Sequence, residues 1–305
     1  LEQNKDYIEI EDNLIAYYHI DLIDNAKKIK SLRIDYYDHR LYPYNKLAAQ
    51  VIGFTNKDNN GQYGIESFFN NILKGAIKTV EYNKTASGKS INAKNTILPK
   101  KGSNIFLTID IDIQEILQKE LLNTVINNKA KSANGIIVNP YNGEVIAMAS
   151  IPDFDLNNYQ NLKKDSADTY YKNRVISPYE PGSTFKLICF SEALDSDSEK
   201  INKKYFCEKG LYKGKYINPF EDHIKDWDSL YFNDIFIRSS NIGTIKIFED
   251  LSEKSFYNKI KRFGFGIKTN ISLPDENSGR INNFKYYLNN YRDLASAAIG
   301  QSILV

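Results

Sequence analysis

The sequence predicts a mixed helix-and-sheet domain, of α/β or α+β class, behind a front module that carries no chemistry. Three observations lead there. Two apolar arms, 135–138 and 144–149, flank Asn139-Pro140-Tyr141-Asn142-Gly143, a proline-to-glycine turn, and so read as a hairpin. Both arms are largely apolar, which predicts burial of the pair on both faces by helices. Helix-spaced apolar residues on either side supply the cover. The third observation is Glu180-Pro181-Gly182-Ser183-Thr184-Phe185-Lys186, which reads as a helix start because proline is tolerated where its missing N–H is not needed. It puts Ser183 and Lys186 one turn apart on one face.

In chain order, residues 1–100 form the front module. Leu32 to Tyr37 alternates like a strand, and a short helix is expected from Lys46 to Val51. Gly53 to Gly61 is dense in turn residues, and a helical pattern follows from Gly64-Ile65-Glu66 through Phe68, Phe69, Ile72 and Leu73. A change of character at Pro99-Lys100-Lys101-Gly102 places the domain boundary, with 101–305 as the second domain. There Asn104 to Thr108 reads as a strand, and Asp110 as the N-cap of a helix bearing Ile113, Ile116, Leu117, Leu121, Val125 and Ile126. Beyond the Ser183 turn, Leu230 to Arg238 reads as a helix that delivers Ser239-Ser240-Asn241. A second helix carries Ile242, Ile245, Phe248 and Leu251, and a short one spans Ala295 to Ala298.

Composition excludes several function classes. A net charge of +2 gives no strong pull towards nucleic acid or anionic lipid. Cys189 and Cys207 are the only cysteines and form no Cys-x-x-Cys, so a structural zinc site or disulfide scaffold is not expected. Two buried free thiols are the preferred reading, a disulfide between them the alternative. Nothing in the chain implies a metal or organic cofactor. No apolar run has the length of a membrane span, no signal peptide is visible, and the chain begins at Leu1, as expected of a fragment or processed product.

The chemistry is carried by a small set of residues. Ser183/Lys186 is the only Ser-x-x-Lys in the chain, a pair able to act as nucleophile and base if the amine loses its proton. A free ammonium titrates near ~10.4; burial would lower that value, and the helix N-terminus would favour the attacking alkoxide. Ser239-x-Asn241 follows 56 positions after Ser183. A hydroxyl there can relay a proton to a leaving amine, and an asparagine side chain suits a substrate amide. The same pattern occurs at Ser90-Ile91-Asn92, but in the module without a site. His19 and His39 lie in the front module, and His223, beside Asp222, has no Gly-x-Ser-x-Gly elbow and reads as structural. Asp153/Asp155 and Asp275/Glu276 read as loop and capping groups.

Taken together, these motifs resemble a class B penicillin-binding protein, and within that class the septal FtsI family. Arg40-x-Tyr42-Pro43, Gly53-Phe54-Thr55-Asn56-x-Asp58 and Gly64-Ile65-Glu66 are similar to the family's non-catalytic pedestal. The start of its transpeptidase domain is matched by Leu107 to Asp110 with Gln114, Asn139-Pro140-x-x-Gly143-Glu144, and Pro152-x-Phe154-Asp155 with Asn157. Pro181 to Lys186, Ser239 to Gly243, Phe263 to Gly266 with Leu273-Pro274 and Glu276, and Ile299-Gly300-Gln301 follow in family order.

The resemblance implies an α+β fold: an elongated pedestal for dimerisation or partner binding over residues 1–100, then a β-lactamase-like domain with a central antiparallel sheet covered by helices on both faces. It implies D,D-transpeptidation, with Ser183 as the acylated nucleophile, Lys186 as its base, Ser239 as proton relay and Asn241 holding the substrate's peptide carbonyl. It implies as partners the D-Ala-D-Ala stem peptide, lipid-linked glycan strands, β-lactams and membrane division proteins such as a SEDS glycosyltransferase, with no nucleic acid. The implied location is the periplasmic side of the bacterial inner membrane, on a single N-terminal anchor. Two other readings stand beside it: a serine β-lactamase, against which Ser240 and the large front module speak, and a non-catalytic sensor or scaffold. The family's Lys-Ser/Thr-Gly motif is not matched, since Lys78-Thr79, Lys84-Thr85 and Lys268-Thr269 lack the glycine. The chain is therefore expected to be incomplete at its C-terminus, and residues 1–305 by themselves are expected not to turn over.

Overall fold

The computed structural model describes residues 40–75, 80–84, 90–96, 101–162, 169–212, 214 and 219–305, with 80–84 and 90–96 as backbone. The strand expected at Leu32 to Tyr37, and His19 and His39, lie outside the described residues. Compactness separates Leu1–Leu41 from Tyr42–Val305, and the second unit is the one described below. None of the helices among the described residues is long and apolar enough to cross a membrane.

The unit opens with short helices, α1 (Ala49–Ile52), α2 (Gly64–Phe68) and α3 (Asn70–Leu73), followed by a hairpin of β1 (Val80–Lys84) and β2 (Ser90–Thr96). The first helix starts later than the Lys46 expected, because Ala48 takes a left-handed φ of 53°. Gly53 and Gly64 are where the chain needs glycine: both have positive φ, and a Cβ on Gly53 would lie 1.8 Å from the Tyr63 carbonyl oxygen. The packing is largely aromatic. Phe54 stacks on Tyr159 at 3.9 Å between ring centres and meets Phe154 edge-on at 5.9 Å.

Asn104 to Thr108 is not a strand. Phe106 is 93% exposed, and the segment meets the sheet through Thr108 Oγ1 on the Val145 carbonyl and through Ile105, which packs in a cluster with Met148, while Asp110 N–H bonds the Ile146 carbonyl. A short apolar run without a ladder partner does not make a strand. Asp110 is the N-cap expected, its carboxylate accepting from Asp112 and Ile113 N–H at the start of α4 (Ile111–Asn128). Ile113, Leu117, Leu121 and Val125 run along α4 as a half-buried stripe, whereas Ile116 and Ile126 are exposed.

Helix α4 lies on the antiparallel hairpin of β3 (Ala133–Val138) and β4 (Val145–Ile151). The turn forms as expected, with Asn139 N–H on the Glu144 carbonyl and Gly143 at φ 78°. Burial on both faces holds only for β4, whose Ala147 to Ile151 are buried; Ile136, Ile137 and Val138 of β3 are 37–44% exposed. β3 pairs only with β4 among the described residues, so its outer edge has no strand beside it there. The one fully buried side chain of α4 is polar. Gln114 accepts from Met148 N–H at 2.8 Å and donates to the Met148 carbonyl at 2.9 Å.

The second half is helical. A tight turn, Gly182–Phe185, runs into α5 (Lys186–Ser196). A small sheet of β5 (Lys204–Phe206) and β6 (Ser229–Tyr231) leads to α6 (Phe232–Arg238), α7 (Asn241–Glu249) and α8 (Glu253–Arg262). Then come α9 (Phe284–Asn289) and α10 (Tyr291–Ala298). Leu230 thus belongs to a strand, and α10 begins four residues before the expected Ala295. One core joins these elements: Phe185, Ile188 and Cys189 of the turn and α5 meet Ile242 and Ile245 of α7, with Leu294 and Ala298 of α10. Cys189 and Cys207 are both buried free thiols.

Gln114 is the polar link on which the α4–hairpin contact depends. Gln114→Ala leaves a buried N–H and C=O without partners and is expected to lower unfolding stability by about 2–4 kcal/mol, measured by denaturant melts; a loss within experimental error would reject this role.

Candidate active site

Sequence folds the Ser183 turn in a definite way. Pro181 supplies the first helical φ, and Gly182 then takes φ +59°, open to glycine and strained for other residues. Ser183 is left exposed, while Lys186, opening α5, is 1% exposed. The turn is tied to the end of the chain. Gly182 N–H bonds the Gly300 carbonyl at 3.0 Å, Tyr179 and Val305 exchange backbone bonds, and the Glu180 carboxylate accepts from Ser302 N–H. Gly300 also has positive φ, and a Cβ there would lie 1.9 Å from the Gly182 carbonyl oxygen.

The Lys186 amine reaches across to the end of α6. Its Nζ donates to the Ser239 carbonyl at 2.6 Å and to Ser239 Oγ at 3.0 Å. Ser239 takes a left-handed φ of 57° as the C-cap of α6, which turns both of its oxygens to the same amine. Burial lowers the lysine pKa from 10.5 to about 8, against the opposing attraction of Asp222 and Cys189. A neutral amine has two N–H donors and one lone pair. With both donors directed at Ser239, the lone pair remains for a proton from elsewhere.

Asn241 opens α7. Its side-chain amide donates to the Glu221 carbonyl at 2.8 Å, and its backbone N–H bonds Asp222 Oδ1 at 2.5 Å. Of the four residues singled out in the sequence, the structure joins Lys186 and Ser239 directly. Ser183 sits one turn before Lys186 on the same element, and Asn241 two residues beyond Ser239. Ser183 Oγ takes no hydrogen bond among the described residues. The Ser90 copy of the motif lies in β2, in the front hairpin. His223 is exposed, so the neighbour that matters is Asp222, 3% exposed. Sequence reading passed over Asp222, because a lone acid in a polar stretch gives no signal of what it will be packed against. Asp155 and Glu276 are loop and capping groups as expected: Asp155 accepts from Asn157 N–H, Glu276 from Thr269 and Asn270 N–H.

The site thus sets an exposed serine on a tight turn one helical turn ahead of a buried lysine that is bonded to a second serine. Residues 134–305 match the penicillin binding protein transpeptidase domain and residues 3–107 the penicillin-binding protein dimerisation domain. The chain belongs to the penicillin-binding protein transpeptidase family. It is 30% identical over 297 residues to stage V sporulation protein D of Bacillus subtilis, covering 92% of this chain and 44% of that protein. It is 30% identical over 262 residues to the peptidoglycan D,D-transpeptidase FtsI of Escherichia coli, covering 85% and 43%. The crystal structure of penicillin binding protein 2X from Streptococcus thermophilus superposes with a TM-score of 0.70 at 26% identity, over 88% of this chain and 40% of that one. The chain spans less than half the length of these relatives.

Two outcomes test the geometry. Between pH 8 and 10.5 the unfolded chain holds a proton that folded Lys186 has released, so raising the pH through that window favours the folded state. Melts at pH 8 and pH 10 should show wild type gaining stability relative to Lys186→Met; a constant difference would rule out the lowered pKa. Gly300→Ala drives a Cβ into the Gly182 carbonyl and is expected to cost about 2 kcal/mol or more, read as a lower Tm.

Proposed function

We propose that this chain is the Ser183-bearing part of a peptidoglycan D,D-transpeptidase of the septal, FtsI-like type. The observation that carries the reading is the buried Lys186 amine held on Ser239, one turn from the exposed Ser183. Its support is membership of the transpeptidase family.

In this reading neutral Lys186 takes the proton of Ser183 as Ser183 Oγ attacks the carbonyl carbon of the D-Ala-D-Ala bond. The tetrahedral intermediate collapses with cleavage of the C–N bond. The departing D-alanine amine takes its proton through Ser239, whose Oγ accepts from Lys186 and keeps its own O–H to donate. An amine on a neighbouring strand then attacks the acyl-serine, forming the cross-link and returning the proton to Ser183. Asn241 holds the substrate's peptide carbonyl with the second N–H of the side-chain amide that gives its other proton to the Glu221 carbonyl. β-Lactams acylate the same serine.

Residues 1–100 serve as the pedestal for dimerisation and partner binding, and 101–305 belong to the transpeptidase domain. The substrates are stem peptides on lipid-linked glycan strands. The partners are membrane division proteins such as a SEDS glycosyltransferase, met at the periplasmic face of the inner membrane, where a single N-terminal anchor holds the enzyme.

Covalent labelling of the full-length protein by a fluorescent penicillin tests the reading. Label should be lost in Ser183→Ala, and the acylation rate of wild type should rise with pH through about 8 as Lys186 becomes neutral. Label that persists in Ser183→Ala would refute the assignment of the nucleophile.

A further inference from the structure

One buried carboxylate is not used by the mechanism above. Asp222 lies on the segment before β6, held by strand-like pairing: its own N–H bonds the Gly210 carbonyl at 3.0 Å, beside a bridge between Leu211 and Glu221. Its Oδ1 accepts the N–H groups of Asn241, at 2.5 Å, and Ile242, at 3.1 Å. Its Oδ2 accepts the Ser240 hydroxyl at 2.8 Å, and Ser240 Oγ in turn accepts Gly243 N–H at 2.9 Å. The carboxylate therefore takes up the first donors of α7 together with its capping serine.

Ser239 precedes this capped start directly and stands in a left-handed conformation that a non-glycine residue holds only when its surroundings impose it. That conformation is what aims its carbonyl and hydroxyl at Lys186. We infer that Asp222 is the positioning residue of the site: by fixing Ser240, Asn241 and Ile242 it holds Ser239 in the conformation that presents two oxygens to the Lys186 amine. The inference rests on the acyl-transfer reading and adds a residue to it. Asp222 does not touch the reacting atoms. It acts through Ser239 and, by its charge, on Lys186. The groups that face Lys186 electrostatically are Asp222 from the loop and Cys189 from its own helix; both favour its charged form against burial.

Two variants of the full-length protein test this. Asp222→Asn keeps an oxygen for the Asn241 and Ile242 N–H groups and lets its amide donate to Ser240 Oγ, whose proton can turn to Cys207 Sγ at 3.8 Å. It removes the charge while leaving the fold supported. Its acylation rate by penicillin should rise at lower pH than in wild type, and the ε-carbon of Lys186, followed by NMR in protein with 13C-labelled lysine, should titrate at correspondingly lower pH. Asp222→Ala leaves the donors of α7 unpaired. Its acylation rate constant should fall roughly tenfold or more, while the noncovalent affinity for penicillin changes less. A structural role alone would lower the folded fraction without moving the titration. An unchanged lysine titration in Asp222→Asn, with acylation of Asp222→Ala within about twofold of wild type, overturns the inference. Absence of any wild-type acylation would fail the acyl-transfer reading instead, and the lysine titration would still report whether the charge of Asp222 acts on Lys186.

Discussion

The contact between the Lys186 amine and Ser239 is the interaction that the rest of the site depends on. Lys186 is almost without solvent, so its charged form loses hydration, and burial brings its pKa to about 8. A lysine so placed needs its remaining donors satisfied. The Ser239 carbonyl and hydroxyl do this at 2.6 and 3.0 Å. The same two bonds leave the lone pair as the free position of the neutral amine, and desolvation is what favours that neutral form.

Backbone geometry around this contact is tightly constrained on both sides. Ser183 is delivered by a turn in which Gly182 and Gly300 lie against each other, closer than a Cβ would permit. Ser239 is delivered by a left-handed helix end set against a capped helix start. Neither feature is stabilising in itself. Each is held by packing of α5, α7 and α10 into one apolar core, with Phe185, Ile242 and Leu294 among its members. Strain at the ends of these elements is thus supported by burial at their centres.

Much of the site was legible because its chemistry is local. Ser183 and Lys186 are three residues apart, Asp110 caps the helix that it precedes, and Asn139 to Gly143 turns the chain with its own residues. Where the reading missed, the deciding groups came from elsewhere. Asn104 to Thr108 has a strand's short apolar run but no ladder partner among the described residues, and β3 has the composition of a covered strand with residues 136–138 exposed and its outer edge unpaired there. Apolar pattern states what a segment would bury, and only a neighbour decides whether it does.

By itself the sequence determined the Asp110 helix cap and the hairpin turn and singled out Ser183, Lys186, Ser239 and Asn241 as candidates, because spacing and turn chemistry act over a few residues. Tertiary structure alone decided that Lys186 would be bonded to Ser239, 53 positions away, and that Asp222 would hold the segment between Ser239 and Ile242. The heptapeptide contained a lysine able to serve as a base. Desolvation by the core is what lowers its pKa to about 8, and two oxygens from a distant helix end hold the amine in place; both are properties of the folded chain.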